Sequence, residues 1–325
     1  MTMDSATDLI SDALQQVRLG GVVLFCVDLN APWCVLTDVK AHLPPPATHV
    51  TCFHIVLEGE CWAGLVDRPP QRLQAGDAVI LPRADLHHLG DRPDSVPVPA
   101  SELYGDTPLP QLPHLLRWGG DGAHTRILCG FLSYERAAFK PLYDALPPLF
   151  QVHLCGGDAG PSLDPMLRYA EDELVAQRPG SGSVRLRMTE LLFVESLRRY
   201  MADLPPDETG WLAAVRDPLA GRAMALLHAA PQRCWNVEEL AHETATSRSN
   251  LTERFRKVLG EPPMQYLARW RMLLAARRLR ESRESIETIA GTVGYDSPAA
   301  FQRAFKRQMG ATPAQWRRRG EIATR

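Results

Sequence analysis

Two segments near the C-terminal end share one grammar, and this internal repeat constrains the fold more than any other feature of the chain. VEELAHETATSRSNLTERFRKVLG (237–260) and IETIAGTVGYDSPAAFQRAFKRQMG (286–310) each read as helix, tight turn, helix. In each, an apolar–Ala pair on the first helix (Leu240-Ala241, Ile289-Ala290) precedes a polar turn. The second helix then begins at a serine suited to N-capping, Ser247 or Ser297. Leu251 and Phe255, like Phe301 and Phe305, stand four residues apart and so share a helical face. With those pairs turned inward, the opposite face carries Arg248, Ser249, Thr252, Glu253 and Arg256 in one copy, and Ala299, Gln302, Arg303 and Lys306 in the other. That is the arrangement of a helix-turn-helix. Between the copies, Pro263 to Glu281 reads as one helix about 28 Å long. A connector of that size can set two recognition helices about one duplex turn, roughly 34 Å, apart.

Charge divides the chain in the same place. Residues 217–325 hold 19 Lys+Arg against 11 Asp+Glu, net +8, whereas residues 1–216 hold 17 against 27, net -10. The sum, -2 over 325 residues, excludes wholesale disorder and a surface that coats nucleic acid uniformly, but it hides an acidic front part joined to a basic back part. The length predicts two domains, and 45% hydrophobic residues suffice for ordinary cores. Seven cysteines, an odd number with no CxxC spacing, read as mostly reduced thiols. The longest early apolar run, Val22 to Val27, is far short of a membrane span, and the acidic start MTMDSATD lacks a signal peptide's positive region. The expectation is a cytoplasmic protein with no membrane partner.

From about residue 20 to 155, short apolar runs are cut by turn residues, which predicts a compact all-β domain. Residues 91–124, with six prolines, read as an inserted loop. Residues 162–203 read as two amphipathic helices broken at Pro179 to Ser183, either a dimer contact or a layer packed on the β domain. Asp203 to Gly210 then forms a linker.

Residues 217–319 closely resemble the DNA-binding domain of AraC/XylS-type transcriptional regulators. Ile289-Ala290, Val293-Gly294-Tyr295, Ser297, Phe301, Arg303, Phe305-Lys306-Arg307, Gly310, Thr312-Pro313 and Trp316-Arg317 all fall where that family has them. The stretch GDAVILPRADLHH resembles the second cupin motif, with Gly76, Pro82 and His87 in place and Ala84 where the motif has glycine. The first cupin motif fits poorly: Gly59 closes it, but Cys52 occupies the Glu place and His49 and His54 miss the His places. Together these runs resemble the cupin sensor domain found ahead of some AraC-type DNA-binding domains.

The resemblances imply a multidomain α+β chain: a cupin-like barrel (8–155), a helical linker or dimerisation segment (162–203), and an all-α domain (217–319) with helix-turn-helix motifs at 237–260 and 286–310. They imply a sequence-specific regulator of double-stranded DNA, a homodimer, not an enzyme, contacting RNA polymerase if it activates. Ser249, Thr252, Glu253, Gln302 and Arg303 are the expected base readers. Arg254, Arg256, Lys257, Lys306, Arg307 and Arg317 are the expected phosphate contacts, with Arg248 and Ala299 on the same faces. Glu253 either accepts from a cytosine or pairs with Arg256 or Lys257, so no operator follows from it.

No cofactor is required for DNA binding, but strand periodicity puts Cys52 and His54 on one face with His87 at a neighbouring strand end, a set that suits a soft divalent ion. The competing reading is ordinary packing of small thiols and hydrogen-bonded histidines. Cys26, Cys34, Cys52, Cys61, Cys129 and Cys155 crowd the same domain, so a thiol switch is a third option. Trp33, Trp62, Trp118 and Trp211 either pack or line a ligand pocket. The effector, whether small molecule, metal or oxidant, is unknown. Two other readings compete: a metal-dependent cupin enzyme fused to a DNA-binding domain, and an architectural DNA binder that answers no signal.

Overall fold

A computed structural model describes residues 8–15, 19–39, 49–105, 107, 112, 114–134, 142–143, 145–156, 161–176, 178–205 and 207–322. The chain divides into two compact units. One comprises Leu19–Tyr134 and Leu146–Asp203; the other comprises Met1–Arg18, Glu135–Ala145 and Leu204–Arg325.

The first unit is β-rich, as expected. Its strands are β1 (Leu19–Asn30), β2 (Cys34–Thr37), β3 (His49–Glu58), β4 (Glu60–Leu65), β5 (Gln71–Gln74), β6 (Asp77–Leu81), β7 (His87–Gly90), β8 (Val98–Pro99), β9 (Leu115–Gly119), β10 (His124–Tyr134) and β11 (Phe150–His153). They form two sheets around a common core rather than one closed ladder: β11-β6-β3-β10-β1-β9 and β5-β4-β7-β2-β8. Alternation explains the core. On β1, Phe25, Val27 and Leu29 point between the sheets, where they join Val35, Cys61, Leu73 and Leu89. The other face of β1 is buried as well, because helices α3 (Asp164–Ala176) and α4 (Ser181–Ala202) pack across it. This double covering is why the strand reads as a continuous apolar run.

Residues 91–124 are not merely a loop. They contain β8, a short helix α2 (Ser101–Tyr104) and β9, and β9 pairs parallel to β1 at the sheet edge. The prolines mislead because edge positions tolerate a missing N–H donor. Arg199 of α4, 1% exposed, donates to the carbonyls of His153, Gly156 and Pro161 and so fastens the helix to the chain leaving β11. Buried Glu173 accepts from Ser181 and Arg178, closing the α3–α4 corner.

The second unit is helical. It contains α1 (Leu9–Gln15), α5 (Trp211–Arg216), α6 (Pro218–Ala229), α7 (Val237–Glu243), α8 (Arg248–Leu259), α9 (Pro263–Glu281), α10 (Ile286–Thr292), α11 (Pro298–Met309) and α12 (Pro313–Ile322). α9 runs over the 19 residues read from the sequence. Phe301, Phe305 and Trp316 bury against Met272, Ala276 and Leu279 of α9, at roughly 1.5–3 kcal/mol for each fully buried large side chain. No helix among the described residues is long and apolar enough to cross a membrane.

Candidate DNA interface and buried histidine–thiol cluster

The two repeats are built by the same local chemistry. Asn236 and Ser285 cap α7 and α10, accepting from the backbone N–H of Glu239 (2.8 Å) and Thr288 (2.9 Å). Ser247 and Ser297 cap α8 and α11, accepting from Asn250 (3.1 Å) and Ala300 (3.4 Å). Each such cap contributes about 1 kcal/mol and fixes where its helix starts. Both turns close through the same bond, Thr246 N–H to the Ala241 carbonyl and Tyr295 N–H to the Ala290 carbonyl, each 2.9 Å. Both need one left-handed residue, Ala245 at φ 54° and Gly294 at φ 82°. Gly260 and Gly310 then end α8 and α11 in the left-handed conformation.

Leu251, Phe255, Phe301 and Phe305 are fully buried, so the opposite faces of α8 and α11 are turned out. Arg248, Ser249, Glu253, Arg256, Lys257, Ala299, Gln302, Arg303, Lys306 and Arg307 are all exposed. Arg248 pairs with Glu238 of α7 at 2.7 Å, while Glu253 forms no ion pair among the described residues. Thr252 is half-buried, and its hydroxyl donates to the Arg248 carbonyl at 2.8 Å. Two of the expected phosphate contacts are turned to structural work. Arg254 grips Asp217, the N-cap of α6. Arg317 donates to the carbonyls of Leu279 and Glu284, locking α12 to the end of α9. Their periodicity put them near the basic face, but carboxylate and carbonyl partners from distant sequence hold them.

In the β-rich unit, Cys52, His54 and His87 come together as their spacing suggested: one ligand atom from each lies within 4.8 Å of the others, and all three are buried. His54 Nε2 stands 2.9 Å from His87 Nε2, and His54 Nδ1 stands 3.1 Å from Cys129 Sγ. Cys129 is opposite His54 in the β3–β10 register. Spacing along the sequence does not reveal this pairing, since only the ladder sets it. His87 Nδ1 lies 2.7 Å from the Asp85 carbonyl and so donates to it. Burial, reinforced by His87, holds His54 well below its ordinary pKa; burial, partly opposed by that carbonyl contact, lowers His87 to about 4. Both rings are therefore neutral at pH 7.

Burial pushes the thiols of Cys26 and Cys61 up to about 12 and Cys34 to about 11, and it raises Cys129 well above its ordinary value. Cys155 also rises to about 12, through burial and its bond to Asp164. Such thiols are poor nucleophiles, which argues against a thiolate switch. Ala84, where the cupin motif has glycine, keeps a left-handed φ of 45°.

Beside His54 and Cys129, an apolar cavity of about 50 Å³ lies between the sheets, bounded by Phe25, Val27, Trp33, Val35 and Phe131. Trp33 is 3% exposed, and its indole N–H has no hydrogen-bond partner among the described residues. Trp211 instead packs in the helical unit, donating to the Tyr266 hydroxyl at 3.2 Å.

A cupin family profile matches residues 8–202, and a helix-turn-helix domain profile matches residues 240–319. A Streptomyces lividans protein named as an AraC-like transcription regulator is 32% identical over 314 residues, 96% of this chain and 98% of its own. The HTH-type transcriptional regulator AlkR of Acinetobacter baylyi is 31% identical over 267 residues, 81% of this chain and 86% of its own. The solved DNA-binding domain of AdpA, in complex with a target DNA, is 36% identical over 33% of this chain and 96% of its own, with a TM-score of 0.31. On the cupin match and the full-length likeness to its relatives, the chain belongs to the AraC-type transcription regulators, with a cupin domain ahead of a two-motif helix-turn-helix domain.

Proposed function

We propose that this regulator grips double-stranded DNA through the exposed faces of α8 and α11, which enter successive major grooves, and that a signal received by the β-rich unit alters this grip. The observation that carries the reading is the repeat itself: two helices, capped and turned alike, expose polar and basic faces on either side of a 19-residue connector. Ser249, Glu253, Gln302 and Arg303 are the base readers; Thr252, whose hydroxyl proton is given to the Arg248 carbonyl, meets a base as an acceptor or through its methyl group. Arg256, Lys257, Lys306 and Arg307 hold phosphates, Arg248 does so on leaving Glu238, and Ala299 offers a methyl contact.

The test is affinity against salt and sequence. Arg303→Ala relaxes preference at one base pair, costing about 1–3 kcal/mol there, whereas Arg307→Ala weakens all sequences alike and flattens the salt slope by about one. Interchanged outcomes would reverse the two roles.

The chain acts in the cytoplasm as a homodimer, joined through the outer side of α3 and α4, where Tyr169, Val175 and Leu191 are exposed. An operator with two half-sites rewards two linked subunits. The signal works by favouring one of two arrangements of the dimer, which requires different affinity for each. A small, largely apolar effector carrying one hydrogen-bond acceptor suits the cavity between the sheets, with the Trp33 indole N–H as donor to it. Where the chain activates transcription, RNA polymerase is a further partner. Regulation rather than catalysis is the reading that its relatives support.

A further inference from the structure

β3 and β7 belong to different sheets, yet they bring Cys52, His54 and His87 to one point in the interior. His87 is already oriented as a ligand: its Nδ1–H donates to the Asp85 carbonyl, which leaves the Nε2 lone pair facing His54. A backbone carbonyl on the far nitrogen is the partner that metal-bound histidines usually have. His54 has the same provision, because a ligand bond at Nε2 moves its proton to Nδ1, where Cys129 Sγ can accept it at 3.1 Å. A tetrahedral zinc with two imidazoles and a thiolate spaces its donor atoms about 3.4–3.6 Å apart. The 2.9 Å between the two Nε2 atoms therefore has to open by roughly half an ångström.

We propose that Cys52, His54 and His87 hold a zinc-class divalent cation that ties the two sheets together, with its fourth position turned toward the apolar cavity. This set is not the one the cupin motifs would supply, since a thiol replaces the carboxylate and His54 lies off the motif's His places. On binding, the Cys52 thiol gives up its proton to solvent, a sulfur–metal bond forms, and His54 changes tautomer with no change in its proton count. One proton is released per ion and nothing is oxidised or reduced. Two positive charges against one thiolate leave the site favouring an anionic or lone-pair donor at the fourth position. The cavity beside His54 gives that donor a way in. The site itself stands independently of the DNA-binding assignments.

The experiment uses the untagged full chain, reduced and stripped with chelator, titrated with Co²⁺ and then with Zn²⁺. Expected are one ion per chain, the intense visible bands and thiolate-to-cobalt charge transfer of a four-coordinate site, displacement by Zn²⁺, and a zinc-dependent rise in unfolding temperature. Cys52→Ser abolishes the charge transfer, and His87→Gln weakens binding by more than about tenfold, the loss typical even of an outer partner. Cys234→Ser, at an exposed thiol elsewhere, changes neither. A wild-type titration without cobalt–thiolate absorption, or absorption that survives Cys52→Ser, overturns the proposal. Should Cys52→Ser fail to fold, the wild-type spectrum and His87→Gln still decide it.

Discussion

Gly294 shows how closely single residues hold the second turn. A side chain there would adopt a left-handed φ and would place its Cβ 2.7 Å from the Arg271 guanidinium and 2.8 Å from the Gln232 carbonyl. Arg271 cannot step aside without cost, because it bonds the carbonyls of Pro231, Arg233 and Gly294. Gly294→Ala should therefore lower stability by at least about 1–2 kcal/mol, read as a lower urea midpoint at unchanged slope. Stability equal to wild type would contradict the turn assignment. The same position in the first copy is already Ala245 at φ 54°, so Ala245→Gly should not destabilise. The place of each turn was legible in the sequence; the left-handed residue within it and the pinning by Arg271 were not, because the pinning comes from three carbonyls on two distant segments.

At the scale of elements, α1 belongs with the helices of the DNA-binding unit although it precedes the first strand. Its Asp12 lies 3.3 Å from His228 Nδ1 on α6, while His228 Nε2 meets the Tyr266 hydroxyl at 2.8 Å and the ring stacks on Trp270. Burial lowers the His228 pKa, and Asp12 only partly offsets it. The unfolded chain thus binds this proton more readily than the folded one. Stability should be complete above about pH 6.5 and fall as the pH drops below that value. His228→Phe, which keeps an aromatic ring over Trp270, should make the melting temperature profile between pH 7.5 and 5 shallower, leaving the share that buried His54 and His87 contribute; an unchanged slope would show that His228 contributes none of it. On the β-rich unit, Leu191 is half-exposed on α4 and faces away from the sheet. Leu191→Glu should convert dimer to monomer in sedimentation without unfolding the chain, and a dimer that persists would place the interface elsewhere. The amphipathic pattern revealed both helices, but it could not say that one face of the pair is spent covering β1.

Across the whole molecule, the most legible part of the sequence was the repeat: caps, turns, connector and buried pairs were all visible as local chemistry. The β-rich part was readable as strands but not as a topology. Two sheets rather than one closed ladder, β9 recovered from a proline-rich stretch, and Cys129 set opposite His54 all depend on pairings between distant residues. Nor does the basic pattern show that Arg254 is held by Asp217 and Arg317 by two carbonyls, because those partners come from distant sequence. Use of both motifs by one chain on one face of DNA is open to direct measurement. Hydroxyl-radical footprinting of the full chain on sequences selected from a random pool tests it most directly. Protected segments flanking two major grooves about one helical turn, roughly 10 base pairs, apart on the same face are expected for each subunit. Loss of the distal segment alone on Arg303→Ala would assign it to α11. A single protected groove per subunit, insensitive to substitution of Arg303 and Lys306, would show that α11 does not enter the DNA.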